Sequence, residues 1–279
     1  MTILGGRRKG LQGAVLLGMI VPWIACASGS QDESLHQAPT VAPRQHAPMI
    51  IRERHGRNAT SSNWSGYAVT GANGLVSDVK GSWVVPAILG NCSSTNQYAS
   101  FWVGIDGYDS STVEQIGTDS DCQNGSAVYY AWYEFYPHFS YNVPITIHAG
   151  DVISAEVSYG AAGKFTVSIT DESTTPKQSW STSQKMPNAK RSSAEWIIEA
   201  PSSGGILPLA DFGTVDFGFD YTGVSPTCWA TVEGVPGAVG SFASFVEITM
   251  VASNGAHMFQ PSLSTDGTSF SDAWEYSGL

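Results

Sequence analysis

Two short segments carry residues whose types and spacing allow them to do chemistry together. The segment Ser193–Glu199 reads as a strand, and because side chains alternate along a strand, Glu195 and Glu199 share one face. A carboxylate on an otherwise apolar strand is costly to bury unless something uses it. In residues 112–117, Gln115 lies between Val113 and Gly117 on one face of the candidate strand. A carboxylate can move a proton and an amide can donate hydrogen bonds to a developing oxyanion, so the pair predicts hydrolysis of an amide.

Two further candidate strands each place a tryptophan beside a carboxylate. Trp102 shares a face with Asp106, and Trp132 shares a face with Glu134. A solvated face seldom carries so much aromatic surface, and a core face seldom carries carboxylates. A concave groove with aromatic walls and acidic groups explains both observations. The alternative is an amphipathic face packed under a loop.

Five segments, in order along residues 61–256, resemble one family. They read SNWSG at 62–66, WVGIDG at 102–107, EQIG at 114–117, AWYEFYP at 131–137 and AEWIIE at 194–199. The chain thereby resembles the glutamic peptidases, or eqolisins, which are pepstatin-insensitive acid endopeptidases. Each segment alone is weak, but five in the family's order over about two thirds of the chain are specific.

The resemblance implies a catalytic pair and a substrate groove. It places the catalytic glutamine on Gln115 and the catalytic glutamate on Glu199, whereas Glu195 matches a position that is not catalytic. The residues 195 and 199 share a face, so their pattern alone does not choose between them. The resemblance also implies that five residues line or support the substrate cleft: Trp64, Trp102, Asp106, Trp132 and Glu134.

One residue departs from the family pattern. Characterised fungal members carry an aspartate just before Ala-Trp-Tyr-Glu, where this chain has Tyr130. We expect the change to affect a supporting hydrogen bond or the local pH response.

The mechanism that the resemblance implies has no covalent intermediate. Glu199 acts as general base on a water held between it and Gln115, and no cofactor or metal is expected.

The pattern beyond residue 60 is typical of β structure. No window has a convincing helical period, no repeat is found, and turn residues punctuate the alternation at short intervals. These features predict an all-β domain, either a sandwich or a closed barrel, and the resemblance implies an antiparallel, lectin-like β-sandwich of two curved sheets. Candidate strands cover residues 67–70, 80–85, 99–105, 112–117, 127–136, 145–148, 152–159, 164–170, 178–183, 194–199, 214–219, 228–232 and 245–252.

The N-terminal part differs from the rest. Residues 7–9 are basic, residues 14–27 are mostly apolar, and Ala25-Cys26-Ala27 matches a signal-peptidase site, so residues 1–27 are predicted to be a secretory signal. A lipid anchor on Cys26 is the minor alternative.

Residues 28–59 are expected to be a pro-segment or linker, because they are rich in Pro, Gln, His and Arg and show no apolar periodicity. As a pro-segment, their basic cluster would dock over an acidic cleft. Residues 60–279 would form the peptidase domain, and the apolar residues after 256 are expected to pack against the sandwich.

Charge and cysteine content limit the function classes. From Thr60 onward the chain has 21 acidic and 6 basic residues, which makes it a poor nucleic-acid binder and suits an acidic workplace. Cys92 and Cys122 are expected to form a disulfide, consistent with export, and Cys228 is expected to be a buried free thiol. The cysteines and histidines show no metal-ligand spacing. We expect a monomer that acts on protein or peptide substrates, without a transmembrane span in the mature form.

Two other functional classes remain possible when the residues alone are considered. The nine Trp and eleven Tyr residues suit a secreted carbohydrate-binding lectin-like sandwich. A glycoside hydrolase could use two carboxylates across the cleft, for instance Glu134 and Glu199. Both alternatives leave Gln115 without a role. Serine-hydrolase, aspartic-peptidase and zincin motifs are absent from the sequence.

Overall fold

The computed structural model describes residues 44–90, 92, 95–252, 255–256, 258 and 260–278. The predicted signal and the first half of the predicted pro-segment, residues 28–43, therefore lie outside the described residues. The strands, in chain order, are β1 Ile51–His55, β2 Asn58–Ser61, β3 Trp64–Thr70, β4 Val76–Val84, β5 Ser100–Ile105, β6 Val113–Gln123, β7 Ser126–Tyr136, β8 Tyr141–Val143, β9 Val152–Gly160, β10 Lys164–Asp171, β11 Gln178–Lys185, β12 Ser193–Glu199, β13 Thr214–Gly218, β14 Trp229–Val232, β15 Val235–Ala238, β16 Phe245–Ala252, β17 Gly255–Ala256, β18 Ser262–Leu263 and β19 Ser269–Ala273.

The strands form two sheets. The first has the order β1-β2-β16-β3-β12-β5-β6-β7-β8, with β17 on β16, and the second has the order β11-β10-β9-β4-β13-β19-β18, with the β14–β15 hairpin on β4. Within the described part of the chain, β2 pairs in parallel with β16 and the other strand pairs are antiparallel. The described residues contain one short α-helix, Phe219–Thr222, and two 3₁₀ turns, Ala161–Gly163 and Val239–Ser241. The predicted all-β sandwich is confirmed.

The two sheets pack through the apolar face of each. Side chains of the first sheet alternate, so that Phe101, Ile116 and Trp196 enter the core between the sheets. Tryptophans also tie the layers by hydrogen bonds: Trp83 Nε1 donates to Thr118 Oγ1 at 2.9 Å, and Trp196 Nε1 donates to the Lys80 carbonyl at 2.8 Å. The opposite face of the first sheet is thereby left to form the groove.

One predicted strand is wrong. Residues 145–148 do not form a strand, and the chain instead pairs with β7 just earlier, through β8. Pro144 has no N–H to continue a ladder, and the Ile145 N–H turns back to the Val143 carbonyl at 2.9 Å. The other twelve candidate strands overlap observed ones.

Both ends of the described region pair with strands of the sandwich. β1 and β2 extend the first sheet, so the expected boundary between residues 59 and 60 falls inside β2. At the other end, β19 pairs with β13 in the second sheet, as the apolar residues after 256 predicted.

The Cys92–Cys122 disulfide and the buried free thiol of Cys228 are both present as predicted. No helix in the described residues is both long and apolar enough to span a bilayer.

Candidate active site

The groove face of the first sheet is organised in three rows of residues that run across β12, β5, β6 and β7. We call them the glutamate row, Glu199, Ser100, Asp119 and Tyr130; the tryptophan row, Ile197, Trp102, Gly117 and Trp132; and the glutamine row, Glu195, Gly104, Gln115 and Glu134. Neighbouring members of a row are cross-strand partners, so their side chains project from the same face. The outer two rows lie roughly 13 Å apart along the strands and flank the tryptophans.

Gly117 keeps the floor of the groove clear between Trp102 and Trp132. A Cβ atom at this position would lie 2.5 Å from Trp102 Cβ and closer still to the Phe101 carbonyl oxygen. Both tryptophans are fully buried. The glycine therefore lets β5 and β6 hold the two indoles close together.

Glu199 projects from the glutamate row and is fully buried. Its Oε2 accepts a hydrogen bond from Trp102 Nε1 at 2.9 Å, while Oε1 has no partner among the described residues. Burial raises the pKa of Glu199 well above its ordinary value, against the opposing effects of the nearby His46 charge and the Trp102 hydrogen bond.

Gln115 reaches toward the same region from the glutamine row. Its Nε2 donates to the backbone carbonyl of His46 at 2.6 Å, and its buried Oε1 has no partner in the part of the chain that the structure describes. The amide therefore already holds a peptide carbonyl. Its free oxygen and the free Oε1 of Glu199 are both acceptors for which a water molecule would be a suitable donor.

The peptide carbonyl belongs to residues 44–49, which we call the cleft segment. The segment is extended at Gln45, whose N–H and C=O pair with the backbone of Ser202 at 3.1 and 3.0 Å. It thus binds as an added strand, the mode by which many proteins hold extended peptides.

His46 occupies the centre of the groove. Its ring stacks on Trp132 with a centroid distance of 3.3 Å and an interplanar angle of 1°. Nδ1 lies 3.0 Å from Glu134 Oε2, which also accepts the His46 backbone N–H, and Nε2 lies 3.1 Å from Ser100 Oγ. Burial opposes protonation, but Asp119 and Glu134 outweigh it and raise the pKa of His46 to about 9. The ring is therefore a buried cation at neutral and acidic pH.

Arg44, two residues before His46 in the chain, lies in a pocket lined by acidic side chains. Its Nη2 donates to Asp121 Oδ2 and to Tyr130 Oη, each at 2.7 Å, and its guanidinium lies 4.0 Å from the centre of the Tyr98 ring. Tyr130 in turn donates to Asp119 Oδ2 at 2.7 Å. Burial acts to raise the pKa of Asp119, but the bonds and charges of the two cationic residues hold it below its ordinary value.

The segment continues past His46 along the side of the groove. Trp64 Nε1 donates to the Ala47 carbonyl at 3.1 Å, and Asn63 Nδ2 donates to the Pro48 carbonyl at 3.2 Å. The Met49 N–H donates to the Gly107 carbonyl at 3.1 Å. Contacts thus extend on both sides of the bond between His46 and Ala47.

The structure brings four of the five predicted substrate-binding residues into this region. Trp64, Trp132 and Glu134 contact the cleft segment, and Trp102 contacts Glu199. Asp106 instead accepts hydrogen bonds from the backbone N–H groups of residues 191 and 192 and from a serine hydroxyl, at 2.7 to 3.1 Å. Its position fixes the loop that precedes β12.

Sequence reasoning missed several groove residues. Asp119 and Asp121 have the same strand parity as Gln115, so a strand extended past Gly117 would have placed all three on one face. Ser100 carried no local signal, and Asn63 stood within the segment SNWSG without an assigned role, because the roles of both arise from contacts with a distant segment.

Known peptidases share this fold and are similar in sequence to this chain. The profile of the Peptidase A4 family matches residues 62–250. Aspergillopepsin-2 of Aspergillus niger is 31% identical over 205 residues, covering 65% of this chain and 71% of that protein. The crystal structure of scytalido-glutamic peptidase with a transition state analog inhibitor aligns with a TM-score of 0.63 at 26% identity, covering 77% of this chain and 98% of that one.

Another similar solved structure is described as that of an eqolisin. The structure of SCP-B, a member of the Eqolisin family of peptidases, in a complex with the tripeptide Ala-Ile-His aligns with a TM-score of 0.60 at 26% identity, with coverage of 77% and 98%. The resemblance read from the five segments is confirmed. The chain belongs to the Peptidase A4 family, the eqolisins or glutamic peptidases, which are hydrolases of peptide bonds.

Proposed function

We propose that this protein is an exported acid endopeptidase in which Glu199 and Gln115 activate water against a peptide carbonyl. The observation that carries the proposal is the hydrogen bond of 2.6 Å from Gln115 Nε2 to the His46 carbonyl, in a groove that also holds Glu199. An amide donor on a peptide oxygen is the arrangement that an oxyanion hole requires.

The first chemical step uses the two free acceptor atoms. A water bound between Glu199 Oε1 and Gln115 Oε1 donates one hydrogen bond to each. Ionised Glu199 takes a proton from this water as its oxygen bonds to the carbonyl carbon. Gln115 Nε2 stays on the carbonyl oxygen, which becomes the oxyanion, and one such donor typically contributes a factor of about 10²–10³ in rate.

The second step returns the proton. Protonated Glu199 gives its proton to the amide nitrogen, the C–N bond breaks, and the tetrahedral intermediate becomes a carboxylic acid and an amine. The net reaction adds one water across the bond and forms no covalent bond to the enzyme. Trp102 stabilises the ionised form of Glu199 through its Nε1 donor at 2.9 Å.

The groove suits an extended peptide. Backbone pairing at Ser202 gives affinity that does not depend on sequence, and the indoles of Trp64, Trp102 and Trp132 provide apolar surface. SCP-B is described with the tripeptide Ala-Ile-His, and the cleft segment of this chain likewise presents a histidine at residue 46. Protein and peptide substrates follow from this geometry. Family membership does not favour a lectin or a glycoside hydrolase.

We further propose that residues 28–59 include an inhibitory pro-segment. The cleft segment occupies the groove with its own peptide: Gln115 donates to its His46 carbonyl, and the charge of His46 acts on Glu199. Burial under it raises the pKa of Glu199, and a protonated carboxyl is not a base. Acid weakens the ionic contacts of the segment by protonating the carboxylates that hold it. When the segment leaves, water reaches Glu199 and the effect of burial on its pKa falls.

Export is the remaining part of the proposal. It rests on the basic and apolar pattern of residues 7–27 in the sequence and on the Cys92–Cys122 disulfide, a bond favoured in oxidising compartments.

The test is hydrolysis of an acid-denatured protein substrate by the acid-incubated enzyme at about pH 3.5, below the ordinary carboxyl pKa, with pepstatin present. We expect the parent to cleave and Glu199→Gln to be inactive. Glu195→Gln is the matched control, since Glu195 is equally buried on the same face of β12. Cleavage by Glu199→Gln at the parent's rate, or loss of activity in Glu195→Gln alone, would falsify the assignment of the base.

A further inference from the structure

A second pocket lies on the outer face of the second sheet, on the side of the sandwich away from the groove. It is open to solvent, and its volume of about 590 Å³ is within the size range of small-molecule sites. Five polar side chains of β4, β9 and β10 form its floor: Lys80, Ser154, Glu156, Ser168 and Thr170. We call this the outer pocket. None of the five takes part in the chemistry proposed for the groove.

The floor residues share one face because of the register of three neighbouring strands. Glu156 of β9 pairs with Lys80 of β4 on one side and with Ser168 of β10 on the other. Thr170 pairs with Ser154 in the next row. The residues between them along each strand enter the core between the sheets. The polar side chains therefore project together from the outer face.

The wall of the outer pocket is a loop that hydrogen bonds hold in place. Val224 and Pro226 line the pocket from this loop. Thr222 Oγ1 and Ser82 Oγ lie 2.7 Å apart, and Thr227 Oγ1 donates to Ser82 Oγ at 2.7 Å. The loop is thus tied to β4 on both sides of its apolar wall. Such a preformed pocket loses less conformational entropy when it binds a ligand.

The charges of the outer pocket select an uncharged ligand. Lys80 Nζ lies 3.5 Å from Glu156 Oε1 and 3.6 Å from Asp78 Oδ2. The ammonium repels a second cation, and the carboxyl groups repel an anion. Burial, and next the neighbouring Glu156, raise the pKa of Asp78 to about 7. Below that pH the carboxyl of Asp78 is neutral, so one carboxylate balances the ammonium.

A strip of hydroxyl groups continues from the outer pocket to the edge of the sheet. Three cross-strand pairs of β10 and β11 carry only hydroxyl side chains on this face: Thr166–Ser183, Ser168–Ser181 and Thr170–Ser179. The oxygens of the first and the last pair lie 2.8 and 2.9 Å apart. Since β11 is the edge strand, the strip ends at solvent.

We propose that the outer pocket binds an oligosaccharide, with one sugar ring in the pocket and the next along the hydroxyl strip. Glu156 accepts hydrogen bonds from sugar hydroxyls, Lys80 donates to them, and the serine and threonine hydroxyls do either. Val224 and Pro226 provide an apolar wall for the C–H groups of the ring. The site adds to the peptidase groove on the other face and does not depend on its chemistry.

Titration with neutral hexasaccharides tests the proposal. The probes are the β-linked hexamers of glucose, of N-acetylglucosamine and of mannose, added to the folded protein at about pH 6, below the pKa of Asp78. We expect at least one probe to shift the amide resonances of residues 154–156, 168–170 and 222–225, with a Kd of about 1 mM or lower. The amide resonance of Gln115 in the groove should stay in place.

Two variants locate the binding. Glu156→Ala removes the charged acceptor and should weaken binding of that probe by about tenfold or more. Its side chain is 40% exposed, so the fold tolerates the change. Glu275→Ala removes an exposed carboxylate elsewhere and should bind as the parent does. Near-UV circular dichroism checks that both variants keep the fold.

Four results would overturn the proposal: no shift at these residues with any of the three probes, shifts confined to the groove, unchanged affinity in Glu156→Ala, or tighter binding of acetate or ethylammonium than of every hexasaccharide. The last result would show that the pocket selects a charged ligand. Each of them leaves the peptidase assignment intact, because the titration measures binding without hydrolysis.

Discussion

The side-chain amide of Gln115 holds the backbone carbonyl of His46, with Nε2 donating to the oxygen at 2.6 Å. A glutamine on β6 thus contacts a residue 69 positions earlier in the chain, through the one atom of a peptide that becomes negatively charged during hydrolysis.

Replacement of Gln115 by methionine should therefore lower kcat by about 10²–10³ with little change in KM, because the donor acts mainly on the transition state. The volume of the side chain is kept. Steady-state kinetics on a quenched peptide measure the effect. Gln184→Met, on β11 in the second sheet, is the control and should be unchanged. A rise in KM with unchanged kcat would show that Gln115 only binds substrate.

Trp102→Phe should shift the acidic limb of the kcat/KM profile to higher pH. The Trp102 Nε1 donor favours the ionised form of Glu199, so its loss raises the pKa of the base further. A hydrogen bond to a charged group corresponds to a shift of about one pH unit. The profile is measured with Trp180→Phe as the control, since Trp180 packs on Tyr133 in the core region. An acidic limb that does not shift in Trp102→Phe would show that Trp102 does not affect the pKa of Glu199.

The domain should be more stable in acid than at neutral pH. Burial raises the pKa of both Glu195 and Glu114 well above the ordinary value. Above the unfolded value of about 4.3 the folded state binds more protons than the unfolded chain, so the free energy of unfolding falls as pH rises. Urea midpoints at about pH 5 and about pH 7 should therefore differ, with the higher midpoint in acid.

The variant Glu195→Gln tests the origin of that trend. It removes one buried charge, so the midpoint at neutral pH should rise and the difference between the two pH values should shrink. Glu275→Gln alters an exposed carboxylate and should leave the trend as it is. The same pH dependence in Glu195→Gln as in the parent would exclude this carboxylate as a source.

Arg44→Ala should loosen the cleft segment without touching the catalytic pair. Loss of the guanidinium removes the nearest cation of Asp121 and one of the two cations beside Asp119, the other being His46; breaking a buried ion pair typically costs about 3–5 kcal/mol. The unprocessed variant should hydrolyse an unrelated peptide at about pH 5 faster than the unprocessed parent, which still holds its segment because the pKa of Asp119 is depressed.

The control for this prediction is Arg52→Ala, which removes an exposed arginine from β1. Hydrogen exchange of the bonded amides of Gln45, His46 and Met49 should quicken in Arg44→Ala and stay slow in Arg52→Ala. Equal exchange in the two variants would mean that the acidic pocket does not anchor the segment.

Much of the sandwich follows from the alternation of side chains, which is a local property. The shared face of Glu195 and Glu199 is visible in the sequence, and so is that of Trp132 and Glu134. The same rule fails for Asp106, because this residue follows the end of β5 with a φ of 74°, and the backbone turns its carboxylate toward the loop at 191–192.

The residues that distinguish the two glutamates could not be read from their own strand. Glu199 differs from Glu195 through Trp102 on β5 and through His46, whose charge acts on its carboxylate. These contacts depend on strand order and on the path of the cleft segment. The basic cluster before residue 60 indicated that some cation would meet the acidic cleft, but which one enters it depends on register with Ser202.

Because β2 pairs in parallel with β16, the position at which the N-terminal segment is cleaved should affect the solubility of the mature protein. Cleavage after His46 would leave β1 and β2 attached as the border of the first sheet. Cleavage between Ala59 and Thr60 would divide β2 and release β1, so the backbone N–H and C=O groups of residues 247 and 248 would lose their partners Asn58 and Ala59. A bare strand of this kind invites pairing between molecules. The two processed forms should thus differ in their tendency to aggregate, even with identical catalytic groups.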